Sequence, residues 1–180
     1  CLADPPYGIN VVKAGKGFGM SNAAQTIIYA PIEGDDVPFD PAPILALSVP
    51  TVLWGANHYA NRLPNSARWL VWDKRDGTES NPLADCELAW TSDTRPARLF
   101  SHRWMGMIRA SEREPRLHPA QKPVALLVWC IEVMETPQGA RVLDPYMGVG
   151  STLLATLRTG HPAWGIECHE PYCEIAARRL

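Results

Sequence analysis

Asp144-Pro145-Tyr146-Met147-Gly148-Val149-Gly150-Ser151-Thr152 reads as a sharp turn between a buried strand and the first turn of a helix. Arg141 to Leu143 before it is strand-like, and Ser151 to Thr159 after it is helical. Ala163 to Ile166 is strand-like again, and Tyr172 to Leu180 again helical. A βαβα unit of this kind places its strands parallel with right-handed crossovers, and the chain as a whole alternates in the manner of an α/β layer architecture. Gly148 and Gly150 remove the side chains that would keep a ligand from the backbone N–H groups of the helix start, so Asp144, Pro145, Tyr146, Gly148, Gly150, Ser151 and Thr152 form a candidate binding turn. Glu167 ends the next strand about twenty residues on, where an acid in this topology accepts hydrogen bonds from ribose hydroxyls. Leu153 occupies the place of the third glycine that a dinucleotide turn requires, which argues against a nicotinamide cofactor. A purely structural turn is the alternative.

Far upstream, Asp4-Pro5-Pro6-Tyr7-Gly8 follows a short strand ending at Ala3. It offers a carboxylate, two residues that fix the chain, and an aromatic ring close to the acid. An exocyclic amino group has two hydrogens to donate. Asp4 can accept one and the Pro5 carbonyl the other, while Tyr7 stacks on the ring that carries the amino group.

With both motifs in hand the chain resembles the amino-methyltransferases of DNA. Asp4 to Gly8 resembles their DPPYG catalytic motif, Asp144 to Thr152 their DPFxGxGxT cofactor motif, and His118-Pro119-Ala120-Gln121-Lys122-Pro123 the HPTQKP segment that precedes it. The order, catalytic motif first and cofactor motif last, is that of the circularly permuted β class. Trp54-Gly55-Ala56-Asn57-His58-Tyr59 and Trp72-Asp73-Lys74-Arg75 look like segments of phage and prophage-type methylases. Two departures stand out: Tyr146 in place of Phe, which keeps an aromatic face, and Ala120 in place of Thr, which loses a hydroxyl.

The resemblance implies a Rossmann-like fold of the S-adenosylmethionine-dependent methyltransferases: a central, mostly parallel sheet with helices on both faces and an antiparallel edge hairpin. It implies methyl transfer from S-adenosylmethionine to the amino group of a flipped-out base, with Asp4, Pro5, Pro6 and Tyr7 catalytic. Asp4, His118, Gln121, Lys122, Glu167 and Cys168 would join the glycine turn in holding the cofactor. Adenine N6 is favoured because members acting on cytosine N4 more often carry Ser in place of the leading Asp. Cytosine N4, an inactive DNA-binding homologue, and N-methylation of a protein or small molecule are the alternatives. A cognate restriction endonuclease and a homodimer are compatible with the family and are written in no residue of the chain.

The remaining sequence fits this frame. Residues Val11 to Gly34 lack periodicity and read as a long loop. Pro41 to Leu47 and Asn57 to Leu63 read as short helices, Pro50 to Gly55 as a strand, and Ala67 to Trp72 with Cys86 to Trp90 as a hairpin. Val124 to Met134 is apolar almost all round and suits a buried helix. Arg95, Arg98, Arg103, Arg109, Arg113 and Arg116 crowd a stretch whose acids are Glu112 and Glu114, so Arg95, Arg98, Arg103 and Arg109, with Lys74, are candidate DNA contacts. A solvated, salt-bridged loop is the alternative there. With 180 residues, 46% of them hydrophobic, and a net charge of −2, one catalytic domain spanning residues 1–180 is expected, and disorder is not. The chain starts just before a motif and stops inside a helix, so it reads as trimmed at both ends. Five cysteines without a CxxC pair fit reduced thiols in a cytoplasm, bacterial or phage-encoded, and neither a membrane span nor a leader is evident. Cys168, His169 and Cys173 have no second ligand pair, so a metal is not expected.

Overall fold

The computed structural model describes residues 1–11, 29, 31–79, 84–105, 108–112, 114 and 116–180. Most of the long segment expected as a loop, with Lys13 and Lys16, lies outside the described residues, as does Arg113. The elements in order are β1 (Leu2–Ala3), α1 (Ala42–Leu45), β2 (Val52–Trp54), β3 (Trp69–Asp73), β4 (Cys86–Thr91), β5 (Arg98–Ser101), β6 (Trp104–Met105), β7 (Ile108–Arg109), α2 (Val124–Val133), β8 (Val142–Asp144), α3 (Ser151–Thr159), β9 (Ala163–Gly165) and α4 (Glu170–Arg179). Where a helix was expected after Gly55, the chain makes two short 3-10 turns, Ala56–His58 and Ala60–Arg62.

Five strands form one sheet in the order β1-β2-β4-β3-β5. β1 runs parallel to β2 and β3 parallel to β5, while β4 is antiparallel to both β2 and β3. The hairpin β3–β4 is therefore as expected in pairing but not in place. β4 lies inside the sheet, and the edge is β5, a strand that the arginine-rich sequence gave no sign of. β8 and β9 form a separate parallel pair, with β8 packed next to β1. The result is a mixed α/β sheet of Rossmann-like kind.

Residue pattern explains the layers. Along β3 the inward residues Leu70 and Trp72 alternate with half-buried ones, as a pleated strand requires. All three residues of β2 are buried, because its two faces are both covered. Trp54 and Trp72 meet edge to face, 6.3 Å apart, and α2 lays Val124, Leu126, Leu127, Cys130 and Ile131 onto the same core. Burying a large apolar side chain of this kind stabilises by roughly 2 kcal/mol. No helix among the described residues is long and apolar enough to cross a membrane.

Strand direction fixes where ligands can reach. Ala3, Trp54, Asp73, Ser101 and the start of β4 share one end of the sheet, the carboxyl end of its parallel strands, where α/β folds bind ligands.

Candidate active site

Asp4 leaves β1 at that end, and the loop after it is held by one acid. The buried Asp35 carboxylate accepts the backbone N–H groups of Tyr7 (3.1 Å), Gly8 (3.0 Å) and Ile9 (3.2 Å) through one oxygen and of Val11 (2.7 Å) through the other. Tyr7 folds back so that its hydroxyl donates to Asp4 Oδ1 at 2.5 Å. Its ring fits only because residue 55 is glycine. A Cβ there would stand 2.0 Å from Tyr7 Cε1, and the backbone has φ +67°, in the left-handed region. The exposed His58 stacks on Tyr7, with ring centres 5.2 Å apart and planes 14° from parallel.

Lys122 completes the cluster. Its ammonium lies 2.6 Å from Asp4 Oδ2, 3.0 Å from the Tyr7 hydroxyl and 3.1 Å from Glu87 Oε2, so one cation serves two carboxyls and a phenol. Glu87, from the start of β4, also holds Lys74 at 3.0 Å. Burial pushes the Glu87 carboxyl up, but Lys122 and Lys74 outweigh it and hold the pKa down to about 2. Asp4 goes the other way. Burial raises its pKa, Lys122 opposes the rise, and the Glu87 charge adds to it. Asp4 and Glu87 face Lys122 and Lys74, so the cluster is a balanced network of two acids and two ammoniums beside the surface where a substrate would stand.

The second motif stands next to this cluster. Asp144 ends β8, beside β1, and is close enough to Asp4 for its charge to be felt. Tyr146 and Tyr7 pack on the same cluster of buried residues, in which Phe39 meets Tyr146 at 5.9 Å and Tyr59 at 4.9 Å. Gly148 donates its N–H to Glu167 Oε2 at 3.0 Å, and His169 donates its own to Glu167 Oε1 at 2.8 Å, which ties the turn to the end of β9. Gly150 starts α3 with φ +78°, and a Cβ there would come within 2.9 Å of the Ala176 Cβ on α4. His118 lies over Gly148 and against Tyr172 (4.6 Å); burial lowers its pKa to about 4, so the ring is neutral at pH 7.

The buried Asp144 carboxyl, bonded to the Thr152 side chain and the Tyr146 N–H, has no cation paired with it among the described residues. Burial raises its pKa to about 7 from the ordinary 3.8. A proton that the unfolded chain has lost above pH 4 is therefore still held by the native state, and the native state gives up that advantage as the pH climbs through 7. The denaturation midpoint of the ligand-free protein is expected to fall between pH 4.5 and pH 7.5 by more in the natural chain than in Asp144→Asn. Equal slopes for the two proteins in urea titrations would contradict it.

The expected site residues divide into those gathered and those not. Asp4 and Tyr7 are bonded to each other, Asp144 to Tyr146 and Thr152, and Gly148 to Glu167 with His118 over it, and the β1–β8 contact sets the two groups side by side. Lys122 belongs with Asp4 and Tyr7, and its ammonium is spent on Asp4 rather than on the turn. Gln121 braces its own segment, accepting the Leu117 N–H at 2.9 Å and, through its backbone, the Trp104 indole at 3.1 Å. Cys168 is exposed, with its thiol 3.6 Å from Glu167. Of the arginines, Arg103 and Arg109 stand toward the Asp4 end, as does Lys74. Arg95 and Arg98 are placed at the opposite end of the sheet, because β4 ends and β5 begins there, and Arg95 is ion-paired with Asp93 (2.6 Å) and with Glu135. They are not part of this site. Asp35 and Glu87 are essential to its geometry and were missed, since a single acid in a loop or on a strand carries no spacing signal. Among the described residues no group of three or more His, Cys, Asp or Glu could hold a metal ion.

The profile of the N6/N4 DNA methylases matches residues 56–178, well over half of the chain, and the chain belongs to that family. It is 27% identical over 117 residues to the type II methyltransferase M2.LlaDCHI of Lactococcus lactis subsp. cremoris, a match covering 64% of this chain and 42% of that protein. It is 45% identical over 65 residues to the putative methylase YubD of Escherichia coli K12, covering 36% of this chain and 28% of the relative. The chain thus spans less than half the length of these curated relatives. Among solved structures, the M1.HpyAVI–SAM complex superposes with a TM-score of 0.52 at 24% identity, over 78% of this chain and 79% of the other. PvuII DNA methyltransferase (cytosine-N4-specific) gives 0.59 at 14% identity, over 99% and 78%. At such identities these structures establish the fold alone.

Proposed function

We propose that this domain transfers the methyl group of S-adenosylmethionine to the exocyclic amino group of a base in DNA, adenine N6 in preference to cytosine N4. The observation that carries the reading is that β1 and β8, which deliver Asp4 and Asp144, lie in contact, and that Tyr7 and Tyr146, one from each motif, pack on the same cluster of buried residues.

The residues fit the cofactor on one count above all: a buried carboxyl without a cation suits a ligand that brings positive charge of its own. Asp144, the glycine turn, Tyr146 and Glu167 would hold it, with His118 closing the turn as a neutral ring. When bound, S-adenosylmethionine supplies an electrophilic methyl on a sulfonium sulfur. Asp4 accepts one amino hydrogen of the base and the Pro5 carbonyl the other, which turns the nitrogen lone pair toward that methyl. Positioning of this kind is worth roughly 7–11 kcal/mol over free encounter. The nitrogen gains positive charge as it reacts, and the Asp4 carboxylate favours that change. Lys122 alone would cancel the effect. Glu87 draws on the same ammonium, which lessens its hold on Asp4. The surplus proton leaves after transfer, with Asp4 its nearest acceptor. Cys86, Cys130, Cys168 and Cys173 do not follow a proline, so none of them offers the Pro-Cys nucleophile of carbon-5 methylation.

A base inside a duplex must rotate out to reach Asp4, at a cost of a few kcal/mol. Stacking on Tyr7 offsets part of it, with the exposed His58 yielding its place on the ring. The test is to incubate the protein with S-adenosylmethionine carrying a labelled methyl group and unmethylated DNA, and to digest to nucleosides. Label in N6-methyladenine is the expected result. Label in N4-methylcytosine alone would overturn the adenine preference, and label in no nucleoside would overturn the assignment to DNA.

A further inference from the structure

Two arginines converge on one buried indole near the Asp4 cluster. Trp104 is 4% exposed and its Nε1 donates to the carbonyl of Gln121, the residue before Lys122. The guanidinium carbons of Arg109 and Arg116 lie 5.1 Å and 5.5 Å from the centre of its ring, close enough for cation–π attraction to hold both. Arg109 is also anchored by the Glu114 carbonyl at 2.5 Å.

Arg116 is different. Among the described residues no ion pair or hydrogen bond engages its guanidinium, and its Nε is buried without an acceptor. Its main chain is nevertheless fixed, because the Tyr29 hydroxyl donates to the Arg116 carbonyl at 3.0 Å. The acid whose charge reaches it, Glu87, is committed to Lys74 and Lys122. Burial and the neighbouring Arg109 both press the Arg116 pKa down, the mark of a cation that lacks its counter-ion. A half-buried guanidinium held in place beside a like charge calls for an anion with several oxygens, and its planar fork matches a phosphate.

We propose that Arg116, together with Arg109 on the face of Trp104, seats a phosphodiester of the DNA strand beside the nucleotide whose base enters the Asp4 pocket. This rests on the reading of DNA as substrate given above. Trp104, Gln121, Lys122 and Asp4 form an unbroken series of contacts and chain links, so a phosphate gripped at Arg116 is registered against the catalytic acid. The contact positions the strand and carries no sequence information.

Because that contribution is independent of sequence, a mixed-sequence duplex is a sufficient probe. Its affinity for the unsubstituted protein and for Arg116→Gln is measured across a series of salt concentrations, with S-adenosylmethionine affinity measured alongside. The substitution is expected to weaken duplex binding about tenfold or more, as loss of a charged hydrogen bond does, and to make the salt dependence shallower by about one unit of slope. Cofactor affinity stays unchanged. Arg116→Lys keeps the charge without the fork, so it retains the slope while losing affinity, and it serves as the test should Arg116→Gln fold poorly. Duplex affinity and slope equal to the unsubstituted protein in both variants would overturn the seat. A fall in cofactor affinity with duplex binding intact would overturn it too, by assigning the anion to the cofactor carboxylate. If the unsubstituted protein itself binds no DNA, the substrate reading fails first and the seat with it.

Discussion

Asp4→Ala is expected to lower methyl transfer to DNA by about 10³-fold or more, the scale seen when a group aimed at developing charge is removed, while S-adenosylmethionine still binds. The separation follows from the layout of the site. Asp4 faces the Pro-Pro-Tyr loop, whereas the glycine turn is built by Asp144, Gly148, Gly150 and Glu167 and makes none of its hydrogen bonds through Asp4. Loss of the carboxylate leaves Lys122 paired with Glu87 at 3.1 Å, so no buried charge is stranded and the domain stays folded. Asp4→Asn keeps the shape and one acceptor oxygen and should recover a minor part of the rate. Single-turnover rates and equilibrium dialysis on the same samples decide the matter: turnover at the unsubstituted rate would remove Asp4 from the chemistry.

Gly55→Ala has the next largest effect, although residue 55 touches no substrate. The new methyl would overlap the Tyr7 ring, 2.0 Å from Cε1 and 2.2 Å from Cζ, at a backbone φ of +67° that disfavours any side chain. Tyr7 must leave, and with it go the hydroxyl that orients Asp4 and the face on which the base stacks. A displacement of about 1 Å in such a site is worth about a hundredfold in rate. Gly55→Ala should therefore lose at least that factor in turnover with cofactor affinity preserved. Adding Tyr7→Ala relieves the clash, so the double variant should melt higher than Gly55→Ala alone while remaining inactive. Full activity in Gly55→Ala would show that Tyr7 has no part in the reaction.

How far the sequence foretold this differs by element, for physical reasons. The βαβα unit from Arg141 onward was legible because period, glycine turn and acid at the next strand end agree with one another. α2 was legible because nine of its ten residues, all but Glu132, are apolar and cannot all face water. β5, β6 and β7 were not, since two- and four-residue strands rich in arginine owe their form to the partners they pair with rather than to local pattern. β4 was read as half of an edge hairpin because strand order is a tertiary property, and only the ladder to β2 puts it inside. The same limit applies to the site. Asp4 and Asp144 announce themselves by their neighbours in the chain. Glu87 does so only through Lys122 and Lys74, contributed by distant segments, and the pairing of Arg95 with Asp93 and Glu135 is likewise set by the fold and not by local spacing.

All of this depends on the amino group and the methyl donor meeting in one cleft between β1 and β8. The most direct measurement is the affinity of a bisubstrate compound in which adenine is joined through N6 to the position of the cofactor sulfur. The compound should bind at least about a hundredfold tighter than S-adenosylhomocysteine, as ligands spanning the reacting atoms do, and Asp4→Ala should forfeit most of that gain. Affinity no better than that of S-adenosylhomocysteine, equal in the natural chain and in Asp4→Ala, would contradict the shared cleft.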